Sequence, residues 1–252
     1  MIEMSLLLVV LGLIVGSFIN VCIFRLPRNE SIVFPGSRCV MCKTPLKSKD
    51  LIPVIGYFLL LGRCRYCECH ISIRYPVVEL FTAFIFLYSF FVVGSSVKLI
   101  EVLIFISFLI MISIIDYDHQ LILDKTVVLF SAVGVIFNIF INGSVSVLDM
   151  FLGSLLGGAI LLLIAIITKG GMGGGDIKFV AALGLWLGLK LTLLTIFLSF
   201  IIGGIGSLLL LAFKIKSRKD FIPFGPFISI AAFISMLYGT EIISWYLQTI
   251  VK

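Results

Sequence analysis

Long apolar runs separated by short polar stretches set out the plan of this chain. The first run, Met4 to Phe24, carries no charge. At about 1.5 Å rise per residue it is long enough, as a helix, to cross roughly 30 Å of hydrocarbon. Similar runs at about 76–94, 98–115, 126–142, 149–168, 177–189, 191–213 and 222–247 predict further spans, about eight in all. The sixth is the shortest, with a glycine-rich opening at 170–175 and a tight joint expected near Gly188 and Lys190. Packing or local thinning of the bilayer accommodates a span of that length. Glu3 before the first run and Arg25 and Arg28 after it are the wrong flanks for a cleaved signal peptide, so the run is expected to remain as helix one.

Composition points the same way. The 252 residues are 61 % hydrophobic and only 13 % charged, which excludes an ordinary water-soluble domain and predicts an all-α polytopic membrane protein. With eight spans, segments 25–75, 116–125, 169–178 and 214–221 fall on one side and hold 16 of the 19 Lys and Arg. Lys98, Lys190 and Lys252 fall on the other. Basic residues gather on the cytoplasmic side, so both termini are expected outside the cytoplasm. The net charge of +6 is explained by topology signals and contacts to anionic lipid, not by nucleic acid, which is not expected as a partner.

One stretch, 25–75, is polar enough to stand outside the bilayer, and it holds five of the six cysteines. About 50 residues bury little core, and a metal staple is the usual remedy. Cys39-Val-Met-Cys42 and Cys64-Arg-Tyr-Cys67, separated by 21 residues, have the spacing of a tetrahedral thiolate zinc site. Cytoplasmic placement keeps such thiols reduced. Cys69 is a spare that competes with Cys67 as ligand or is an ordinary thiol; His70 is a surface or packing residue, and Cys22 a small core residue of helix one. Arg63, Arg65 and Arg74 ring the second knuckle and form either a solvated rim or an attractor for an anionic group. The fold expected is thus about eight transmembrane helices with a small zinc-binding cytoplasmic insertion after helix one. Its parts are 1–24, the first helix; 25–75, the insertion; and 76–252, a seven-helix membrane domain.

Two aspartates then require explanation, since a carboxylate beside hydrocarbon is expensive and marks a functional site. Asp116 ends the third apolar run, and Asp176 follows Gly173-Gly174-Gly175 after the fifth. By the topology above both lie at cytoplasmic ends, so they can meet. Two carboxylates within a few Å share a proton, which supplies a general base and a general acid in one site. A helix starting at Asp176 and capped by its side chain is the bland alternative. Asp118 and Asp124 are rival partners, and Asp116 leads only because it is nearest the apolar run. The glycine loop lacks the spacing of a nucleotide cradle, and with only His70 and His119 there is no zincin motif. Hydrolysis, ion transport through the acids and a purely structural membrane protein all stay open on the residues alone. No internal repeat stands out. Gly153, Gly157, Gly158, Gly184, Gly188, Gly203, Gly204 and Gly206 either permit close helix packing or are ordinary membrane glycines.

Taken together, these motifs resemble the bacterial type IV prepilin peptidases, which are leader peptidases and N-methyltransferases. The resemblance rests on Gly16-Ser17-Phe18-Ile19-Asn20-Val21 with Arg25-Leu26-Pro27, both Cys pairs, Ile52-Pro53, Gly62-Arg63-Cys64-Arg65, and Ile71-Ser72 with Arg74-Tyr75-Pro76 and Glu79. It continues through Asp116-x-Asp118-His119-Gln120, Gly171-Met172-Gly173-Gly174-Gly175-Asp176-Ile177-Lys178 and Pro223-Phe224-Gly225-Pro226. It implies a catalytic pair at Asp116 and Asp176 and a prepilin or pseudopilin substrate with a short basic leader ending in glycine before a hydrophobic helix. It further implies methyl transfer from S-adenosyl-L-methionine, with Glu79, Arg74 and Asn20 at the cofactor site, a structural zinc on Cys39, Cys42, Cys64 and Cys67, and residence in the bacterial inner membrane with the active site facing the cytoplasm. A peptidase without the second activity, or an ion-coupled transporter, is the alternative. The chain departs from the family pattern at Leu123, where proline is usual, and at Cys69, where glycine is common.

Overall fold

The computed structural model describes residues 2–141, 145–214 and 222–250. Asn142, at the end of the predicted fourth span, and the basic residues Lys216, Arg218, Lys219 and Lys252 lie outside the described residues. The helices are α1 (Ile2–Arg25), the short α2 (Ile55–Leu59), α3 (Arg74–Val93), α4 (Val97–His119), α5 (Asp124–Ile136), α6 (Val147–Ile167), α7 (Gly174–Ala212) and α8 (Gly225–Ile250). Seven of those described are long and apolar enough to cross a membrane, and α7, at 39 residues, is much the longest. The chain is an all-α, multi-pass membrane protein with seven or eight long apolar helices, according to how α7 is counted.

Two compact units divide it, Met1–Ser95 and Ser96–Lys252. In the first, α1 lies along α3 at a spacing set by two glycines. A methyl at Gly12 would stand 2.5 Å from Ala83 Cα, and one at Gly16 would stand 2.7 Å from Glu79 Cα. The insertion joins these helices and has almost no regular structure beyond α2 and two short 3₁₀ turns, Leu26–Arg28 and Ser48–Leu51. Sequence grouped the helix after residue 76 with the later spans; in the structure α3 packs on α1 within the first unit.

In the second unit α6 and α7 make the closest approach. A Cβ on Gly184 would come within 2.2 Å of Ser154 N, and one on Gly153 within 2.8 Å of Gly188 C. In hydrocarbon no hydrophobic force draws helices together, so such close van der Waals packing is what joins them. Gly204, by contrast, faces open space. Against α7, α5 contributes Phe130, whose ring stacks on Trp186 at 5.2 Å between centroids while its carbonyl accepts the indole N–H at 2.8 Å. Buried hydroxyls turn back on their own helices: Thr82 donates to Val78 O, Ser89 to Ile85 O, Thr192 to Gly188 O and Thr195 to Leu191 O. This keeps polar groups satisfied where no water reaches.

α7 is broken at Gly188, with φ 70° and ψ 179°, a conformation open to glycine. Carbonyls one turn before a break lose their helical donors. Here Asn138, from a π-helical turn at Phe137–Ile141 after α5, donates its amide to Leu185 O at 2.9 Å and Trp186 O at 3.2 Å. Replacing Gly184 by Leu should therefore part α6 from α7 and lower the melting temperature in detergent, whereas Gly204→Ala should leave it unchanged; equal behaviour of the two variants would contradict this packing.

Candidate active site and metal centre

Asp116 and Asp176 occupy opposite poles of two helices in the second unit. Sequence placed Asp116 just past the third span, but α4 continues through it to His119 and stops where Gln120 adopts a left-handed conformation, returning its N–H to Asp116 O at 2.8 Å. The side chain of Asp116 is buried, and its Oδ2 accepts the N–H of Gly225 at 2.9 Å, at the first residue of α8. That contact requires glycine, because a methyl at 225 would lie 2.6 Å from the same oxygen. Asp176 sits in the first turn of α7, which begins at Gly174 and not at the aspartate. It is buried too, and its Oδ2 accepts the N–H of Gly173 at 3.2 Å. The positive end of the α7 dipole faces its charge.

The two carboxylates act on one another electrostatically. Each has one oxygen engaged by a glycine amide, so each offers its second oxygen for a shared proton or a water. Asp118 and Asp124 are exposed, and Asp124 accepts Lys178 Nζ at 2.7 Å. Burial thus separates the four acids that spacing left as rivals. Ile122 packs against Gly175, where a Cβ would meet it at 2.9 Å, and so brings the α4–α5 loop onto the glycine segment. Leu123 takes φ −73°, within the range a proline would impose, and its carbonyl accepts the Thr126 hydroxyl at 2.7 Å, so α5 starts without the ring.

A second site lies within the first unit: a cavity of about 630 Å³ lined by Ser17, Asn20, Val54, Tyr75 and Glu79, among others. Small-molecule pockets fall in roughly the 300–1,000 Å³ range. Glu79 accepts the N–H of Val54 at 2.7 Å and is also hydrogen-bonded to Ser17. Val54 has φ 62°, strained for a β-branched residue, and the carboxylate is what holds it. Asn20 donates to Tyr75 O at 3.1 Å. Two of the three residues expected at a cofactor site thus line one cavity, and Arg74 is not among the lining residues.

Cys39, Cys64 and Cys69 also line this cavity. The sulfurs of Cys39, Cys64, Cys67 and Cys69 all lie within 4.8 Å of one another, with Cys39 Sγ 3.5 Å from Cys69 Sγ and 3.8 Å from Cys67 Sγ. Four sulfurs around zinc at about 2.3 Å stand about 3.8 Å apart, so the group can hold such an ion. Sequence named Cys42 where this group has Cys69; Cys42 nevertheless touches Cys39 and Cys67. Burial opposes ionisation of Cys39, yet the amides of Cys42 and Met41 bring its pKa down to about 6. Arg65 is not part of a free basic rim: its guanidinium pairs with Asp50 at 2.6 Å and holds that carboxyl below the usual range. Gly225 and Cys69 were both visible in sequence as motif or spare, but Asp116 and Cys39, which they meet, are remote along the chain and no local signal assigned them.

Comparison with known proteins accords with this geometry. Residues 10–93 match the bacterial peptidase A24 N-terminal domain, and residues 103–208 match the type IV leader peptidase family. The chain is 35 % identical to the prepilin leader peptidase/N-methyltransferase of Bacillus subtilis over 249 residues, covering 96 % of this chain and 97 % of that protein. It is 36 % identical to the protein of the same description from Legionella pneumophila, covering 94 % and 92 %, and 34 % identical to that of Pseudomonas aeruginosa, covering 95 % and 92 %. The chain belongs to the type IV leader peptidase family. No solved structure matched it.

With Arg65 replaced by Ala, the nearly buried Asp50 carboxylate loses its cation. Limited proteolysis should then nick the insertion faster than in the parent protein, and unchanged nicking would show that the pair does not brace the second knuckle.

Proposed function

We propose that this protein cleaves the short basic leader of a type IV prepilin or pseudopilin after glycine, then methylates the new amino terminus using S-adenosyl-L-methionine. The observation that carries the first half is the burial of Asp116 and Asp176 in one unit, each tethered through Oδ2 to a glycine amide. One carboxylate accepts a proton from water as its oxygen attacks the scissile carbonyl. The other, protonated, gives its proton to the amide nitrogen as the C–N bond breaks. The substrate's apolar helix lies in the bilayer and its leader in the cytoplasm. Local acids, not the basic loops, attract that leader.

An eight-span topology supports this delivery. A 39-residue α7 is about 58 Å long if straight, nearly twice the hydrocarbon thickness. A chain broken at Gly188 crosses twice along α7, and the Lys and Arg asymmetry supports an active site and insertion in the cytoplasm with the termini outside.

For methyl transfer, S-adenosyl-L-methionine supplies an electrophilic methyl when bound, and the cavity beside Glu79 and Asn20 has room for it. Glu79 orients the incoming amine and accepts its proton, and Asn20 fixes the α1 side of the pocket through Tyr75. Zinc held by the cysteine group would stiffen the part of the lining that Cys39, Cys64 and Cys69 supply.

The mass of a prepilin amino-terminal peptide, measured before and after incubation, reads both reactions. Asp116→Ala and Asp176→Ala should each slow cleavage by about 10²–10⁴-fold; normal cleavage by either removes the assignment. Gly225→Ala should lower kcat with little change in KM, since it pushes the Asp116 carboxylate, and an effect on KM alone would contradict that role. Glu79→Gln should cut methylation by roughly 100-fold while cleavage continues; parallel loss of both would mean that Glu79 is only structural.

A further inference from the structure

The insertion builds the same small device twice. Cys39 N–H donates to Thr44 O at 3.0 Å and Lys43 N–H to Cys39 O at 3.0 Å; Cys64 N–H donates to Cys69 O at 2.9 Å and Glu68 N–H to Cys64 O at 2.9 Å. Lys43 and Glu68 both take positive φ, 61° and 57°. Antiparallel bridges close each loop, Arg38 with Pro45 and Arg63 with His70. Every matched pair is 25 positions apart, a repeat too short and too varied in side chains to stand out from sequence.

The superposition implied by these bonds sets Cys39 on Cys64, Cys42 on Cys67, and Thr44 on Cys69. In the first loop Thr44 hydrogen-bonds the Cys42 sulfur, and in the second Cys69 does the same for Cys67. By loop symmetry Cys42 is a ligand and Cys69 its neighbour's support. By distance Cys69 belongs to the four-sulfur group and Cys42 stands at its edge. A hydroxyl at this place supports a thiolate, whereas a thiol also binds the metal. Five sulfurs therefore surround four coordination positions.

We propose that Cys42 and Cys69 are interchangeable fourth ligands of a thiolate metal centre whose constant ligands are Cys39, Cys64 and Cys67. In the exchange, the arriving sulfur loses its proton and the departing thiolate takes one up, so the charge at the metal is unchanged. The centre then keeps four sulfurs when either exchangeable thiol is lost. The proposal concerns the metal centre alone and does not depend on the peptidase assignment.

Full-length protein in detergent, loaded with zinc, provides the test. X-ray absorption counts the sulfurs on zinc, and metal analysis and release to a chelator report retention. Cys42→Ser and Cys69→Thr, the latter copying Thr44 of the first loop, should each keep four sulfurs and one zinc per chain. Cys42→Ser with Cys69→Thr should fall to three sulfurs and release zinc to a chelator that both single variants withstand. Loss of a sulfur in Cys42→Ser would show that Cys69 cannot replace it; loss in Cys69→Thr would make Cys69 the sole fourth ligand; four sulfurs in the double variant would place the ligand elsewhere. Each of these overturns the proposal, and the single variants decide it even if the double variant does not fold.

Discussion

A carboxylate among apolar helices has no bulk water to stabilise it, and a backbone amide with no helical partner is the nearest substitute. Helix starts provide such amides, and that constraint organises the second unit. Asp176 takes the amide of Gly173 at the head of α7, and Asp116, at the less favourable negative end of α4, takes that of Gly225 at the head of α8. Asp176 is thus satisfied within the start of its own helix, whereas Asp116 is satisfied only once the end of α4 meets the start of α8. The glycines follow from the same requirement, because a side chain at 225 would occupy the space of the carboxylate oxygen.

The long apolar runs made the helices legible from sequence, and their bounds lie within a few residues of those in the structure. The acids were legible as candidates because charge is rare in such a chain. What could not be read was their ranking: Asp118 and Asp124 differ from Asp116 in exposure, which follows from the turn at Gln120 and the docking of α8. The α3 assignment shows the same limit, since hydropathy marks a crossing but not which neighbour it packs on. The glycines divide likewise. Gly153 and Gly184 face each other's backbones and Gly204 faces nothing, a difference that composition does not contain.

In the insertion, spacing identified a thiolate site but not its membership. Cys-x-x-Cys encodes a local loop, and Cys69 enters the group by distance, at the place that Thr44 holds in the first loop. Its basic residues were equally ambiguous, and Arg65 is committed to Asp50 by a contact 15 residues away. Of the three residues expected at a cofactor site, Asn20 and Glu79 line the cavity, while beside Arg74 the lining is built by Tyr75 and Pro76.

The π-helical turn and the break in α7 are bound to each other through one side-chain amide. Removing a single residue from that turn would swing Asn138 by about 100° around the helix, away from the carbonyls of Leu185 and Trp186 that it now serves. Straightening α7 would in turn return those carbonyls to their own helix and leave the Asn138 amide idle. Neither irregularity can be edited out alone, so descendants of this chain should keep or lose both in the same step.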